Sequence, residues 1–411
     1  MAEKFINKNY EVVPFEEYAD IYIINTCTVT SISDKKSRQI IRRAKQLNLA
    51  AIVVATGCYA EVAKEELNKI DGIDLVLGNN EKTNIVELIE AFAMDNANKC
   101  IVSDVNKQQE YLDFGTTTYT EKTRAIVKVQ DGCNNFCTYC LIPYARGRIR
   151  SRNPQNVIKE VEQIANKGIQ EVVITGIHVA SYGKDFDNNY KLIDLLEDLN
   201  KIEGLKRIRL GSLEPNLITE GFTRRLEKLD KICHHFHLSL QSGCDSTLKR
   251  MNRKYTIKEF TEATKLLRNI FPDVALTTDI IVGFPAETDE EFNATYEFLK
   301  KIKFAKMHVF KYSPRKGTVA AKMENQIDPK IKEERSHKLI ELSNKNEIEF
   351  LSNMIGKEVE VLFEEKIGDF YKGHTSNYMV VNAKGKNLEN RMIKVRITKA
   401  QNLELIGDIS L

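Results

Sequence analysis

The sequence predicts an α/β protein built in three parts: a parallel sheet, a partial barrel of six βα units, and a small all-β barrel. Three observations carry this. The first hundred residues alternate short apolar runs with charged helical stretches. Six strand candidates separated by amphipathic helices follow between about 125 and 310. From about Met354 the pattern changes to short alternating strands with glycine turns. A chain of 411 residues exceeds what one hydrophobic core usually organises.

In the first part, after a short helix Ala2–Asn7, the segments 21–25 (IYIIN) and 50–55 (AAIVVA) are nearly continuous apolar strands. That is the mark of a parallel sheet covered on both faces. Each strand runs into a cysteine, Asn25-Thr-Cys27 and Thr56-Gly-Cys58. Equivalent carboxyl ends of neighbouring strands converge in space, so Cys27 and Cys58 read as ligands of a metal cluster, with buried inert cysteine as the alternative. Cys100 has no such context. A polar stretch, Ser103 to Lys122, reads as a connector.

The second part begins at about 123. Its strand candidates are 125–130, 171–174, 207–210, 237–240, 275–282 and 306–310, separated by helices such as Pro154–Asn166 and Lys258–Arg268. Six βα units make an open version of the eight-stranded barrel, whose sites lie at the carboxyl ends of the strands. The first strand runs straight into the segment 131–140, DGCNNFCTYC, which spaces Cys133, Cys137 and Cys140 as C-x3-C-x2-C. A structural iron-sulfur cluster normally takes four thiolates, whereas three from one loop leave a coordination position open for a cofactor. Zinc sites usually pair C-x2-4-C with a second, distant pair, which makes zinc the weaker reading.

Directly after the cysteines comes 143–152, PYARGRIRSR, which places Arg146, Arg148, Arg150 and Arg152 together with no acid among them. Guanidinium forks suit phosphate, and a solvated loop with local ion pairs is the alternative. A second basic stretch surrounds 312–317 (YSPRKG), with Arg315 and Lys316. The formal net charge of +3 is too small to argue for a nucleic-acid partner by itself. The third part contains strand candidates 357–363, 373–375, 378–381 and 392–397, a small all-β barrel.

No apolar run is long enough to span a bilayer and no signal-peptide pattern opens the sequence, so a cytoplasmic location is expected. Eight cysteines, three of them in a ligand motif, suit a reducing compartment better than a disulfide framework.

The motifs 129–147, VQDGCNNFCTYCLIPYARG, with 175–178 (TGIH) and 312–318 (YSPRKGT), closely resemble those of the radical S-adenosylmethionine (SAM) methylthiotransferases. The resemblance covers the whole chain and implies an N-terminal cluster domain over 1–110, a radical SAM partial barrel over 119–348 and an RNA-binding TRAM domain over 349–411. It implies two [4Fe-4S] clusters and SAM as cofactors, with Cys133, Cys137 and Cys140 holding the SAM-binding cluster and Cys27 and Cys58 part of the second. Members of this family usually begin with a strand ending in Gly-Cys-x-x-Asn, which supplies a further ligand; no counterpart precedes Cys27, so a truncated start and a labile second cluster are expected.

The resemblance also implies site roles. Tyr139 lies beside the adenine of SAM, and Gly176 lets backbone approach the cofactor. Ser212, Glu214, Gln241 and Asp279 contact SAM, although an ordinary strand-end turn also accounts for Asp279. Arg209, His237 and Ser242 line the same cavity. The arginines from 146 to 152, with Arg315 and Lys316, contact substrate or phosphate. Substrates in the family are isopentenyladenosine in tRNA, threonylcarbamoyladenosine in tRNA, and an aspartate of a ribosomal protein, and the motif phrasing is most like the second group. The implied reaction places a methylthio group on C2 of the modified adenine at position 37, in the anticodon loop. The partners implied are that tRNA, an electron donor such as flavodoxin or ferredoxin, and a sulfur donor, with the enzyme acting as a monomer. A non-catalytic RNA-binding iron-sulfur protein is the alternative from another class.

Overall fold

A computed structural model describes residues 1–28, 30–95, 99–108, 110–113 and 123–410. Its strands are β1 (Ile21–Thr26), β2 (Ile52–Gly57), β3 (Leu75–Leu77), β4 (Cys100–Ile101), β5 (Arg124–Asp131), β6 (Arg150–Ser151), β7 (Glu171–Gly176), β8 (Arg207–Leu210), β9 (His235–His237), β10 (Ala275–Val282), β11 (Lys306–Lys311), β12 (Glu358–Ile367), β13 (Phe370–Thr375), β14 (Val380–Ala383), β15 (Met392–Gln401) and β16 (Glu404–Ile409). The chain groups into two compact units: Met1–Thr118 with Asp131–Arg152 and Ser313–Lys322, and Tyr119–Gln130 with Asn153–Tyr312 and Met323–Leu411. The cysteine loop thus groups with the N-terminal sheet, and the C-terminal barrel with the βα units. Much of the expected connector, residues 109 and 114–122, lies outside the described residues.

The first unit is built on a parallel sheet of order β1-β2-β3-β4. β1 is its edge, and its burial alternates, with Tyr22 and Ile24 inward, where a strand covered on both faces was expected. The helix Ser31–Leu47 starts where the Thr30 hydroxyl accepts the Ser33 N–H over 3.2 Å. It packs Ile41 and Ala44 onto the sheet strands. β3 and β4 are too short to announce themselves in sequence; Cys100 opens β4.

In the second unit β5, β7 and β8 pair in parallel, as do β9, β10 and β11. A bridge between Leu213 and Leu238 joins the two sets into a six-stranded partial barrel. The helix Pro154–Asn166 has Asn153 as its cap and Pro154 in its first turn, and buries Val157, Val161 and Ile164 along one stripe. β9 ends at His237, earlier than the sequence pattern suggested. Beyond it Leu238 donates to Thr277 O and Ser239 to Leu213 O, so the backbone alternates between two neighbours and forms no regular ladder.

The C-terminal barrel closes in the order β12-β13-β14-β16-β15 around Val361, Phe363, Val381, Val395 and Leu405. Its last strand, β16, was not expected from sequence. No helix among the described residues is long and apolar enough to cross a membrane.

Candidate functional site

In the first unit the chain leaves β5 at Asp131 through Gly132, whose φ is 72° and where a Cβ would fall 1.8 Å from the Arg148 carbonyl oxygen. Only glycine fits that approach. The Cys133 N–H donates to Gly147 O over 3.0 Å and the Cys140 N–H to Cys137 O over 3.0 Å, so the loop is folded by its own backbone. Cys133, Cys137 and Cys140 are half-buried thiols not joined in disulfides, and the Ile142 N–H points at Cys140 Sγ over 3.4 Å. Three thiols on one loop with an amide N–H directed at one of them suit an iron-sulfur cluster, whose properties depend on such hydrogen bonds. Tyr139 is half-buried within the same loop.

β1 and β2 pair in register up to Thr26 and Gly57, so Cys27 and Cys58 each follow the last paired residue of adjacent strands. Cys27 is exposed and Cys58 half-buried. Gly57, at φ 104°, is required there, because a Cβ would lie 2.3 Å from Thr26 O. Arg146 Nε is 3.2 Å from Cys58 Sγ. Next along the chain from Cys58, Tyr59 and Glu61 join Thr28, Asp34, Arg315 and Lys316 around a cavity of about 550 Å³. Burial pushes the Glu61 carboxyl up to about 7, although Asn79 donates its backbone N–H to it over 2.8 Å.

Three of the four arginines in the run are drawn into contacts within the first unit. Arg150 and Arg152 are 3% and 5% exposed. Arg150 donates to Arg146 O and lies 3.8 Å from Asp131, and Arg152 is paired with Asp113 at 2.8 Å. Arg146 faces Cys58 and Asp131. Of the four only Arg148 is exposed, its guanidinium 4.7 Å over the Phe136 ring. Arg315 is likewise buried, bonded to Thr28 Oγ1 and paired with Asp34, whereas Lys316 is exposed. The acids that neutralise Arg150, Arg152 and Arg315 lie outside the runs in which these arginines occur, so local charge counting overstated the basic surface.

In the second unit the strand ends carry a separate polar set. Glu214 is buried between His178 Nε2 at 3.1 Å and Arg253 at 2.8 Å. The His178 backbone N–H donates to Gln130 Oε1 over 2.6 Å. Ser212 is exposed. Gln241 has a left-handed backbone, φ 72°, with its N–H on Asp279 O and its carbonyl accepting from Ile281, so its conformation is set by β10. Gly176 is needed for packing, since a Cβ would come within 2.9 Å of Gln130 O.

Ser242 and Arg209, both expected to line the cavity, make the following contacts. Ser242 is 1% exposed, and its hydroxyl meets Thr295 and the Cys244 N–H inside a turn. Arg209 is buried on Glu171 and donates to the carbonyls of Ser376 and Thr375, so it fastens the C-terminal barrel to the partial barrel. His237 and Asp279 meet each other, with Nε2 and Oδ2 3.3 Å apart. The partners His178, Arg253 and Glu171 were not picked out from sequence. The available signal was Arg207 and Arg209 two apart on a strand read as part of the barrel, since inward charges demand buried acids.

The model of the radical SAM superfamily matches residues 127–299, and that of uncharacterized protein family UPF0004 matches residues 1–78. The threonylcarbamoyladenosine tRNA methylthiotransferase MtaB of Bacillus subtilis (strain 168) is 43% identical over 403 residues, which cover 96% of this chain and 89% of that protein. The chain belongs to the radical SAM methylthiotransferase family. Within this family it is also similar to MtaB of Aquifex aeolicus (strain VF5), 42% identical with 97% and 95% covered. The tRNA-2-methylthio-N(6)-dimethylallyladenosine synthase of Moorella thermoacetica is 35% identical, with 100% and 94% covered. Among solved structures the radical SAM methyltransferase TsrM from Kitasatospora setae, determined with cobalamin and a [4Fe-4S] cluster, has a TM-score of 0.55 at 16% identity. That match covers 73% of this chain and spans 64% of the TsrM chain, and it speaks for the fold alone.

Proposed function

We propose that this protein is a tRNA methylthiotransferase that replaces the hydrogen on C2 of N6-threonylcarbamoyladenosine, at position 37, with a methylthio group. The observation that carries the reading is the nearly full-length likeness, 43% identity, to an enzyme named for that substrate. The three thiols on one loop, none of them in a disulfide, fit its chemistry.

Cys133, Cys137 and Cys140 would hold a [4Fe-4S] cluster with one iron open to SAM. A cluster held there would supply the one electron that splits SAM into methionine and a carbon radical, a reagent able to take hydrogen from an aromatic carbon that is not appreciably acidic. Tyr139, Ser212 and Gln241 are the groups of this chain assigned to orient SAM, and Glu214, held by His178 and Arg253, offers a fixed carboxylate. Cys27 and Cys58 would hold a second iron-sulfur group, with the Arg146 donor on the Cys58 sulfur. Exposed Arg148 and Lys316 are the cations left for tRNA phosphates. A turned-out base of the anticodon loop is the form in which C2 becomes reachable. An electron donor such as flavodoxin or ferredoxin, a sulfur donor, a monomeric state and a cytoplasmic location complete the reading.

The test is anaerobic turnover of the reconstituted protein with SAM, reductant, sulfide and tRNA carrying either threonylcarbamoyladenosine or isopentenyladenosine, with nucleosides and 5'-deoxyadenosine measured by mass spectrometry. The expected products are 2-methylthio-N6-threonylcarbamoyladenosine and 5'-deoxyadenosine, both abolished by Cys137→Ala. Methylthiolation confined to isopentenyladenosine tRNA overturns the substrate assignment, and no 5'-deoxyadenosine from the wild type overturns the radical reading.

A further inference from the structure

We propose that His237, Asp279 and His308 form a binding site for a single divalent transition-metal ion of the zinc class, separate from any iron-sulfur cluster. The three residues stand on adjacent strands. In the parallel register Thr277 pairs with His237 and Asp279 with His308, so β10 presents Asp279 between the two imidazoles. Alternation settles the face they share: Phe236, Leu276, Ile280, Met307 and Val309 turn into the helix-packed core, and His237, Asp279 and His308 turn to the opposite face.

One ligand atom from each residue lies within 4.8 Å of the other two. His237 Nε2 and Asp279 Oδ2 are 3.3 Å apart, and the two imidazole rings are 6.0 Å apart with a 32° tilt. Two donors each about 2.0–2.1 Å from a common ion at a tetrahedral angle stand roughly 3.3–3.4 Å from one another, so the first separation already matches. The His237–Asp279 contact is not a satisfied hydrogen bond, because His237 Nε2 is buried and has no partner of acceptable geometry. A cation smaller than a water molecule would use that orphaned nitrogen and the carboxylate at once.

The other nitrogen of His237 is 3.1 Å from Thr277 Oγ1, so the ring is already held in one orientation, the outer support that metal-binding histidines commonly have. His308 is exposed and on the open side, where a side chain can swing a short way to close on an ion. Two imidazoles and one carboxylate favour zinc, ferrous iron, cobalt or nickel over magnesium and calcium, which prefer all-oxygen sites. Three protein ligands leave a further position for water or another oxygen donor.

The experiment uses the full-length protein with its iron-sulfur centres reconstituted, incubated with zinc, desalted, and studied by zinc K-edge absorption and chelator competition. Zinc surrounded by nitrogen and oxygen scatterers alone is expected. That bound zinc should be lost in His308→Ala, whose melting temperature should stay at the wild-type value because the side chain is exposed. Thr277→Val, which removes the hydroxyl that supports His237 and also meets His235 Nε2, should weaken binding about 10–100-fold. A sulfur shell around the zinc, no retained zinc, or unchanged binding in both His308→Ala and Asp279→Asn would overturn the site.

Discussion

Arg146 Nε lies 3.2 Å from the sulfur of Cys58, joining the loop that follows Cys133, Cys137 and Cys140 to the end of β2. On the proposed reading Cys58 is a cluster ligand, and a cationic donor on such a sulfur is an outer contact whose loss costs about 10–100-fold in affinity or activity. Arg146→Gln should therefore lower the iron content of the reconstituted protein and reduce methylthio product by about tenfold or more. 5'-Deoxyadenosine formed without substrate should stay close to wild type. Equal loss of both products would show that Arg146 serves the Cys133 loop instead.

Arg148 and Lys316 are exposed whereas Arg150, Arg152 and Arg315 are buried in ion pairs. Alanine at Arg148 or Lys316 should weaken tRNA binding and flatten the dependence of log affinity on log salt by about one unit each. Arg152→Ala should instead lower stability, because it removes a buried side chain together with its pairing to Asp113. A salt slope unchanged in Arg148→Ala and Lys316→Ala would move the tRNA surface elsewhere.

Glu171 is fully buried, 2.7 Å from Arg209 and 3.7 Å from Arg207, and both arginines donate to carbonyls of the C-terminal barrel. Removing Arg209 takes the nearest cation from this buried carboxylate but leaves Arg207 at 3.7 Å, so the loss should approach and not exceed the roughly 3–5 kcal/mol of a broken buried pair. Arg209→Met should lose stability on that scale in urea unfolding. Glu171→Leu combined with Arg209→Met should recover part of it, and additive losses would argue against a shared network.

His235 is buried against Thr277 and the Tyr378 ring. Burial first, and then the charge of Arg209, hold its pKa down at about 3 against an ordinary 6.5. Between those two values the unfolded chain binds the proton and the folded chain does not. The contribution to stability is therefore complete above pH 6.5 and is lost as pH falls toward 3, at up to about 1.4 kcal/mol per pH unit. Unfolding midpoints measured from pH 7 to pH 4.5 should fall less steeply for His235→Gln than for the wild type. Parallel slopes would show that His235 does not contribute.

The legible parts of this protein were those whose causes are local. The apolar runs of β1 and β2, the cap and stripe of the helix Pro154–Asn166, and the spacing of Cys133, Cys137 and Cys140 all act over a few residues. They could be read without knowing what lay opposite. β3, β4 and β9 were missed or misplaced because a strand of two or three residues carries too little periodicity, and what defines it is the neighbour it pairs with.

By itself the sequence determined three folded parts, the loop that presents three thiols, and the strand ends that carry Cys27 and Cys58. Only the tertiary structure decided which charged groups remain for function. Cys58 meets Arg146 88 residues away, Arg209 meets Ser376 at a separation of 167, and Arg315 meets Thr28 at 287. A buried charge is tolerated only beside a partner, and a partner can come from anywhere in the chain. Neither spacing nor composition can therefore tell an arginine that binds phosphate from one that holds the fold together.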